Sequence, residues 1–432
     1  MGLENKLARA LLVGGGFCAV CSSTSAQAET ALSVCYINHP VQVANVAILE
    51  KWAVKQGVKL NKTVTSYTVY LPKITQMLTS GANDQCDIIW NNDDWGQDLA
   101  QYLEPLEDVP NVRKVEVGQL EPFHAADGKT TAVSMTTTAG ILFYRTDLIS
   151  EAELPKTWDD LVKISQPLQS EKKVKWGYVG GMSYTNTFFS FWWTLWNNSC
   201  DVYAPAYERD NKKLAANGWK PMIYSPCQVQ TAEFWWDALN SKKISPPGMT
   251  TYSRDEANAI FQAGDAAFTV ADTTFLDTFN NSERSSVAGK VGIAPFPVGP
   301  MSNGVRTWID VWGWSIPKTL PNDRKTAAKK LLGAMLGDPD AQIEQWNQTG
   351  GPPPNTDVWR TLEKNDATWR RLHTILFKPD HVHAAYYFRN WATVHKVYSD
   401  TLIRAMKGKR EDIAATLKAG SDAIHAGATA ND

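Results

Sequence analysis

Between residues 32 and 90 the chain alternates short β-prone runs with longer amphipathic ones, and this rhythm restricts its fold more than any other feature. Residues 32–37, 64–69 and 87–90 read as strands. Residues 43–55, stopping at Gly57, and 71–78, stopping at Gly81, read as helices. Such a β–α–β–α–β succession predicts a parallel sheet covered by helices. Ligands on these sheets bind beyond the carboxyl ends of the strands. Here those ends carry Asn38 and His39, then Tyr67, then the run Trp90-Asn91-Asn92-Asp93-Asp94-Trp95. The last is dense in groups that hydrogen-bond hydroxyls, with an indole on either flank.

At 432 residues the chain exceeds one comfortable core and is expected to form two lobes. No repeat or low-complexity linker divides it, so short crossings must join the lobes. The first residues read as an export signal: Lys6 and Arg9, an apolar run over residues 10–20, and a small-x-small site at Ala26-Gln27-Ala28. That run is too short to span a bilayer. Cleavage near Ala28 would release a soluble chain, expected to be a monomer, into an exported compartment. Four cysteines then remain, Cys35, Cys86, Cys200 and Cys227, and an even number in an oxidising compartment favours disulfides. Three connectivities exist; position favours Cys35–Cys86, on apolar runs that could be neighbouring strands, and Cys200–Cys227. A zinc site is the lesser alternative, since no Cys-x-x-Cys survives cleavage. With 43 Lys+Arg against 45 Asp+Glu, nucleic acid and anionic membranes are poor partners.

Further along, Thr136-Thr137-Thr138 interrupts the apolar pattern before a strand at residues 141–145. Helix starts are marked by Thr157 ahead of Asp159 and Asp160, by Ser225-Pro226 with Gln228, by Ser253 with Glu256, and by Asp338-Pro339. Gly264 ends one helix before a strand at residues 266–271, and Gly350 ends another.

An enzyme needs a nucleophile, a metal or a tuned acid–base pair. Gly-x-Ser-x-Gly, His-Glu-x-x-His and Gly-x-x-x-x-Gly-Lys are all absent from the sequence. Ser170 to Lys173 fits Ser-x-x-Lys only as a short pattern in a charged loop. His381 and His383 lack an evident third ligand. Asp93 and Asp94 imitate a glycosidase pair, but neighbours in a strand point to opposite sides. No catalytic residue, metal or cofactor is therefore expected.

The positive signal is aromatic, with 18 Trp in the chain. Trp308, Asp310, Trp312 and Trp314 recur at every second position, which in an extended segment puts three indoles and a carboxylate on one face. Flat apolar surface beside an acceptor suits a sugar or polyol. The competing reading is a strand buried on both sides. Trp192, Trp193, Trp196, Trp235 and Trp236 fall at helical spacing and read as core. Gly180-Gly181 would let backbone approach a ligand stacked on Tyr184, or merely turn the chain from a strand into a helix over residues 186–196. Asp272-Thr273-Thr274 follows a strand and precedes a helix start whose N–H groups can hold an oxygen.

Segments spread along the chain resemble the bacterial extracellular solute-binding proteins of family 1, the maltose-binding-protein-like receptors of ABC importers. They are ILEKWAVKQGVKL, LPKTWDDLVKI, YSPCQVQTAEFWWDAL, FQAGDAAFTVAD, VGIAPFPVGP, VWGWSIPK, DRKTAAKKLLGAML and TGGPPP. The resemblance implies an α/β, two-lobed periplasmic-binding-protein-like (type II) fold with a ligand cleft between discontinuous lobes. It divides the chain into residues 29–138 and 304–350 for the N-terminal lobe, and 139–303 and 351–432 for the C-terminal lobe. It implies hinge closure on a small solute, docking to an ABC permease of the inner membrane, and no catalysis. The family's ligand loop falls on Trp90 to Trp95, its hinge-proximal polar segment on Thr136 to Thr138, and its glycine-tryptophan segment on Asp310 to Gly313. Trp312 becomes the expected stacking residue and Trp314 moves towards the core. Asp272 stands where the family usually has a glycine-containing turn, so either a direct side-chain contact from it or only a different turn is expected. Asn38, His39, Tyr67, Asn91, Asn92, Asp93, Asp94, Trp95, Thr137, Tyr184, Gly351 and Arg389 complete the expected ligand set. A glycerol-phosphate-type solute, which Arg145, Arg306 or Arg389 could hold, a betaine-like cation, and a secreted carbohydrate-active enzyme are the alternatives.

Overall fold

The computed structural model describes residues 30–81, 85–115, 120–125, 127–376, 381–383, 388 and 391–429. The export signal and Arg389 lie outside them. Strands β1 (Thr30–Ile37), β2 (Val58–Thr65) and β3 (Ile88–Asn92) are parallel, with Cys35 beside Thr63 on one side and Ile89 on the other. They continue into β4 (Val133–Arg145), β5 (Trp176–Val179), β6 (Ala266–Asp272), β7 (Val291–Ala294), β8 (Thr307–Ser315) and β9 (His381–His383). The sheet runs β2-β1-β3-β8-β4-β6-β5, with β7 on β4 and β9 on β8.

Two antiparallel strands, β4 and β8, carry the chain across the middle. The first half of β4 pairs with β8, from Val133 beside Trp314 to Ala139 beside Ile309. Its second half, from Gly140 onward, pairs with β6 and β7. The hydrophobic clusters divide at the same place. One gathers Leu32, Trp90, Met135, Trp314 and Leu331. Two others gather Trp192, Trp235 and Trp308, and Ala139, Phe261, Ile309 and Trp369. Both expected disulfides are present, with Cα separations of 5.7 Å for Cys35–Cys86 and 5.9 Å for Cys200–Cys227.

Several expectations are corrected. The second strand spans Val58–Thr65 rather than residues 64–69, and Tyr67 opens the next helix, Tyr67–Ser80. β2 ends the strand order, so one side of it can be solvated; its exposed Lys59 and Asn61 mask the strand in the sequence. Thr136 to Thr138 do not interrupt a strand but lie fully buried inside β4. Two of the three hydroxyls have main-chain acceptors: Thr136 donates to the Pro352 carbonyl at 2.8 Å and Thr138 to the Asp310 carbonyl at 3.3 Å. The helix expected over residues 186–196 divides into a 3₁₀ segment, Tyr184–Phe189, and an α-helix, Phe191–Trp196. Ser225 precedes its helix without a side-chain cap, its hydroxyl lying 3.1 Å from Cys227 Sγ. The cap at Thr157 and the box at Ser253 form as expected, and Asp160 makes a box of the first as well.

Candidate functional site

β8 makes one alternating face serve two cores. Trp308 enters the cluster on the β6 side, stacked on Phe296 with ring centroids 5.5 Å apart and planes 10° apart. Gly140 makes room for it: an added Cβ would fall 1.8 Å from the indole. Trp314 lies in the opposite core and donates to Asn45 Oδ1 at 2.5 Å. Trp312 sits between these fates. It meets His39 at 4.8 Å and Trp90 at 6.1 Å, both perpendicular, and Trp90 meets Trp95 at 5.3 Å. Beneath them Tyr70 packs 5.3 Å from Trp90, its hydroxyl 2.9 Å from the carbonyls of Cys35 and Trp90.

Carboxylates converge on the same point from two strand ends and from the middle of β8. Asp93, in the turn after β3, accepts the Val311 N–H at 2.9 Å and shares a hydrogen bond with the Asp310 carboxyl. Asp272 ends β6 in register with Gly140 and accepts Arg254 Nη1 at 2.8 Å. Arg254 begins the helix Arg254–Gln262, pairs also with Asp255 at 3.2 Å, and lies 4.7 Å over the Phe275 ring. His39 caps the helix Pro40–Lys55, accepting the Val41 N–H at 3.3 Å.

Burial, the largest cause, pushes the Asp310 carboxyl up to about 6 against the hydrogen bond from Asp93. The charge of Asp272 adds to that rise, while Trp312 and Arg254 oppose it. Burial and then the charge of Arg254 bring His39 down to about 4, so it is neutral at physiological pH. Burial also raises the Asp272 carboxyl, opposed by Arg254. For Arg254 burial works downward, but Asp272 and Asp255 outweigh it and hold the guanidinium above its ordinary value.

This seam leaves buried polar atoms without hydrogen bonds: Asn92 Oδ1, Asp310 Oδ1, Trp312 Nε1, Thr137 Oγ1 and Thr273 Oγ1. The Trp312 N–H lies towards Asp310 but does not reach sound hydrogen-bond geometry. Each such atom costs about 1–3 kcal/mol unless a partner arrives.

The sequence-predicted residues are thus partly gathered. His39, Asn92, Asp93, Trp95, Asp272, Asp310 and Trp312 belong to one neighbourhood, and Asn38 is exposed just before His39. Asn91 is fully enclosed and donates to Ser315 Oγ at 3.0 Å, and Thr137 is buried beside Val311. Gly351 fills the seam where an added Cβ would lie 3.1 Å from Val41 and 3.2 Å from the Thr136 hydroxyl. Tyr184 has its ring 5.0 Å from His395 and 5.6 Å from the Lys396 ammonium. The side chains of Tyr67 and Asp94, like Arg389, lie outside the described residues. Arg145 pairs with Asp147 at 2.6 Å, and Arg306 lies over Tyr207 at 4.3 Å, so neither joins the group. Sequence reasoning missed Arg254. Its place after the Ser253 cap was visible, but its pairing with Asp272 was not.

Comparison with known proteins follows this geometry. Residues 47–369 match the model of a family described as bacterial extracellular solute-binding protein. A probable ABC transporter-binding protein of Deinococcus radiodurans is 26% identical over 296 residues, covering 67% of each chain. The maltose-bound MalE3 of T. maritima superposes with a TM-score of 0.76 at 22% identity, over 91% of this chain and 99% of that one. A ribitol complex of a solute-binding protein from Agrobacterium radiobacter K84 gives 0.69 at 18% identity, over 93% and 98%. These likenesses establish a periplasmic-binding-protein fold.

Proposed function

We propose, for a chain that belongs to the bacterial extracellular solute-binding protein family, that it captures a carbohydrate or polyol and delivers it to a membrane permease. The family is one of receptors, and the chain is a binding protein rather than an enzyme. The observation that carries the ligand class is the seam at β8. Asn92 Oδ1, Asp310 Oδ1 and Trp312 Nε1 lack partners there, beside the indoles of Trp90, Trp95 and Trp312. A sugar or polyol offers hydroxyls to the first set and C–H faces to the second. The relatives that bind maltose and ribitol support the same class.

In this reading residues 29–138 and 304–350 form one lobe, and residues 139–303 and 351–432 the other. They close on the solute about β4 and β8. Export through residues 1–28 places the receptor in the periplasm, where the closed form meets its permease. No helix among the described residues is long and apolar enough to cross a membrane. A phosphorylated solute fits less well, because Arg254 is already paired with Asp272 and Asp255.

A thermal-shift screen over monosaccharides, disaccharides, polyols and glycerol phosphodiesters tests the reading. A ligand at 100 times its Kd adds about 2.7 kcal/mol, a rise of a few degrees for a protein of this size. Stabilisation by glycerol phosphodiesters alone would overturn the ligand class. Chemical conversion of a bound sugar, seen by mass spectrometry, would overturn the receptor role.

A further inference from the structure

The charges around the seam do not balance for a purely neutral polyol. Asp310 on β8 is faced by Asp93 from the turn after β3, by Asp272 from β6, by Trp312 on its own strand, and by Arg254 from the helix after Ser253. His39, from the helix start after β1, is uncharged at neutral pH and contributes no cation. Arg254 is divided between Asp272 at 2.8 Å and Asp255 at 3.2 Å. Asp310 therefore lies beside the Asp93 carboxyl, which the Val311 N–H fixes at 2.9 Å, and its Oδ1 has no hydrogen-bond partner. Two carboxyls in contact hold a proton or call for a cation between them.

A second, independent observation points the same way. The Trp312 indole is 7% exposed, and its N–H finds no hydrogen-bond acceptor although it lies beside this pair. The pair is bordered by the aromatic group of Trp312, Trp90 and Trp95. Indoles attract ammonium groups through the ring quadrupole as well as stacking on C–H faces. A ligand that meets all these features carries an oxygen for the indole N–H, C–H faces for the rings, and a positive charge for the carboxyls.

We propose that the solute bears a protonated amine on its polyhydroxylated frame, and that Asp93 and Asp310 together receive the ammonium group. This rests on the carbohydrate-or-polyol reading above and narrows it. An ammonium held there keeps Asp310 ionised, so binding near pH 6 expels the proton that burial otherwise leaves on its carboxyl. Affinity for the amine then falls as pH drops through that value, since proton and ammonium compete for one place. A neutral polyol has no such competitor.

Matched probes decide the matter: sorbitol against N-methylglucamine, and glucose against glucosamine, titrated calorimetrically into the full exported chain. At about pH 7.5 the better amine should bind at least tenfold tighter than its neutral counterpart, and by about pH 5 most of that preference should vanish. Titrations near pH 6 in two buffers of different ionisation enthalpy should show proton release with the wild-type protein. Asp310→Asn should erase the preference and, with it, the proton release on amine binding. Equal or tighter binding of the neutral member, or proton uptake on amine binding, overturns this proposal but leaves the polyol reading standing. An amine preference that Asp310→Asn does not alter overturns the placement at the carboxyl pair. Failure of every sugar, polyol and amine to bind overturns the two together.

Discussion

Trp308 and Trp312 share one strand and one face, yet they live in different environments. Trp308 is stacked on Phe296 in a dense aromatic core, with a glycine cleared beneath it. Trp312 has perpendicular aromatic neighbours and an unsatisfied N–H, next to two carboxyls and a neutral histidine. The difference teaches that burial alone does not separate packing from binding, since the two indoles are 2% and 7% exposed. Their neighbours do separate them: Trp308 is enclosed by aromatic rings, whereas Trp312 borders a histidine and a buried carboxyl.

Four substitutions can break or sharpen that contrast. Trp308→Ala should have the largest effect on folding, about 3–5 kcal/mol by chemical denaturation, because it empties a packed core. Ligand affinity of the folded fraction should change little; a loss of affinity greater than that from Trp312→Ala would reverse the assignment of the two indoles. Trp312→Ala should weaken solute binding about 100-fold, some 2.7 kcal/mol, with a smaller loss of stability than Trp308→Ala. Equal losses of binding and folding energy would return Trp312 to the core.

Asp310→Asn should act with the opposite sign on stability. Because the folded carboxyl is raised to about 6, above its unfolded value, its contribution is fully present in acid and is lost as pH rises through 6. At neutral pH the asparagine variant should therefore be more stable without ligand, by about 1–2 kcal/mol, and the gain should disappear below about pH 4. Melting curves across that range check it, and a variant destabilised at neutral pH would show that the pair is not strained. The smallest effect is expected from Tyr70→Phe, about 1 kcal/mol, by removing the hydroxyl that sits on the Cys35 and Trp90 carbonyls. Tryptophan fluorescence on titration would show whether the loosened Trp90 reaches Trp312; an unchanged ligand response would confine Tyr70 to the core.

The same contrast explains what could be read in advance. The helical stripe at Trp192, Trp193 and Trp196 was legible as core, because helical spacing alone turns those side chains inward. Both disulfide pairings were legible from position in an oxidising compartment. The strand Val58–Thr65 was missed because its solvated side dilutes the apolar alternation. Thr136 to Thr138 looked like a break because polar side chains in a buried strand need acceptors from distant chain segments, here Pro352 and the strand partner Asp310. Arg254 was missed for the same reason: its partner Asp272 lies beyond a helix and a turn.

The sequence by itself determined the alternation of strands and helices, most of the helix caps and the disposition of β8's residues on one face. These follow from local geometry, in which neighbours along the chain decide the outcome. Tertiary structure alone decided that this one face would divide between two cores at Asp310. It also decided which carboxylates meet there, which arginine is neutralised and which indole borders them. Such facts depend on segments from 18 to more than 200 residues apart arriving within a hydrogen bond of one another, and spacing along the chain carries no record of them.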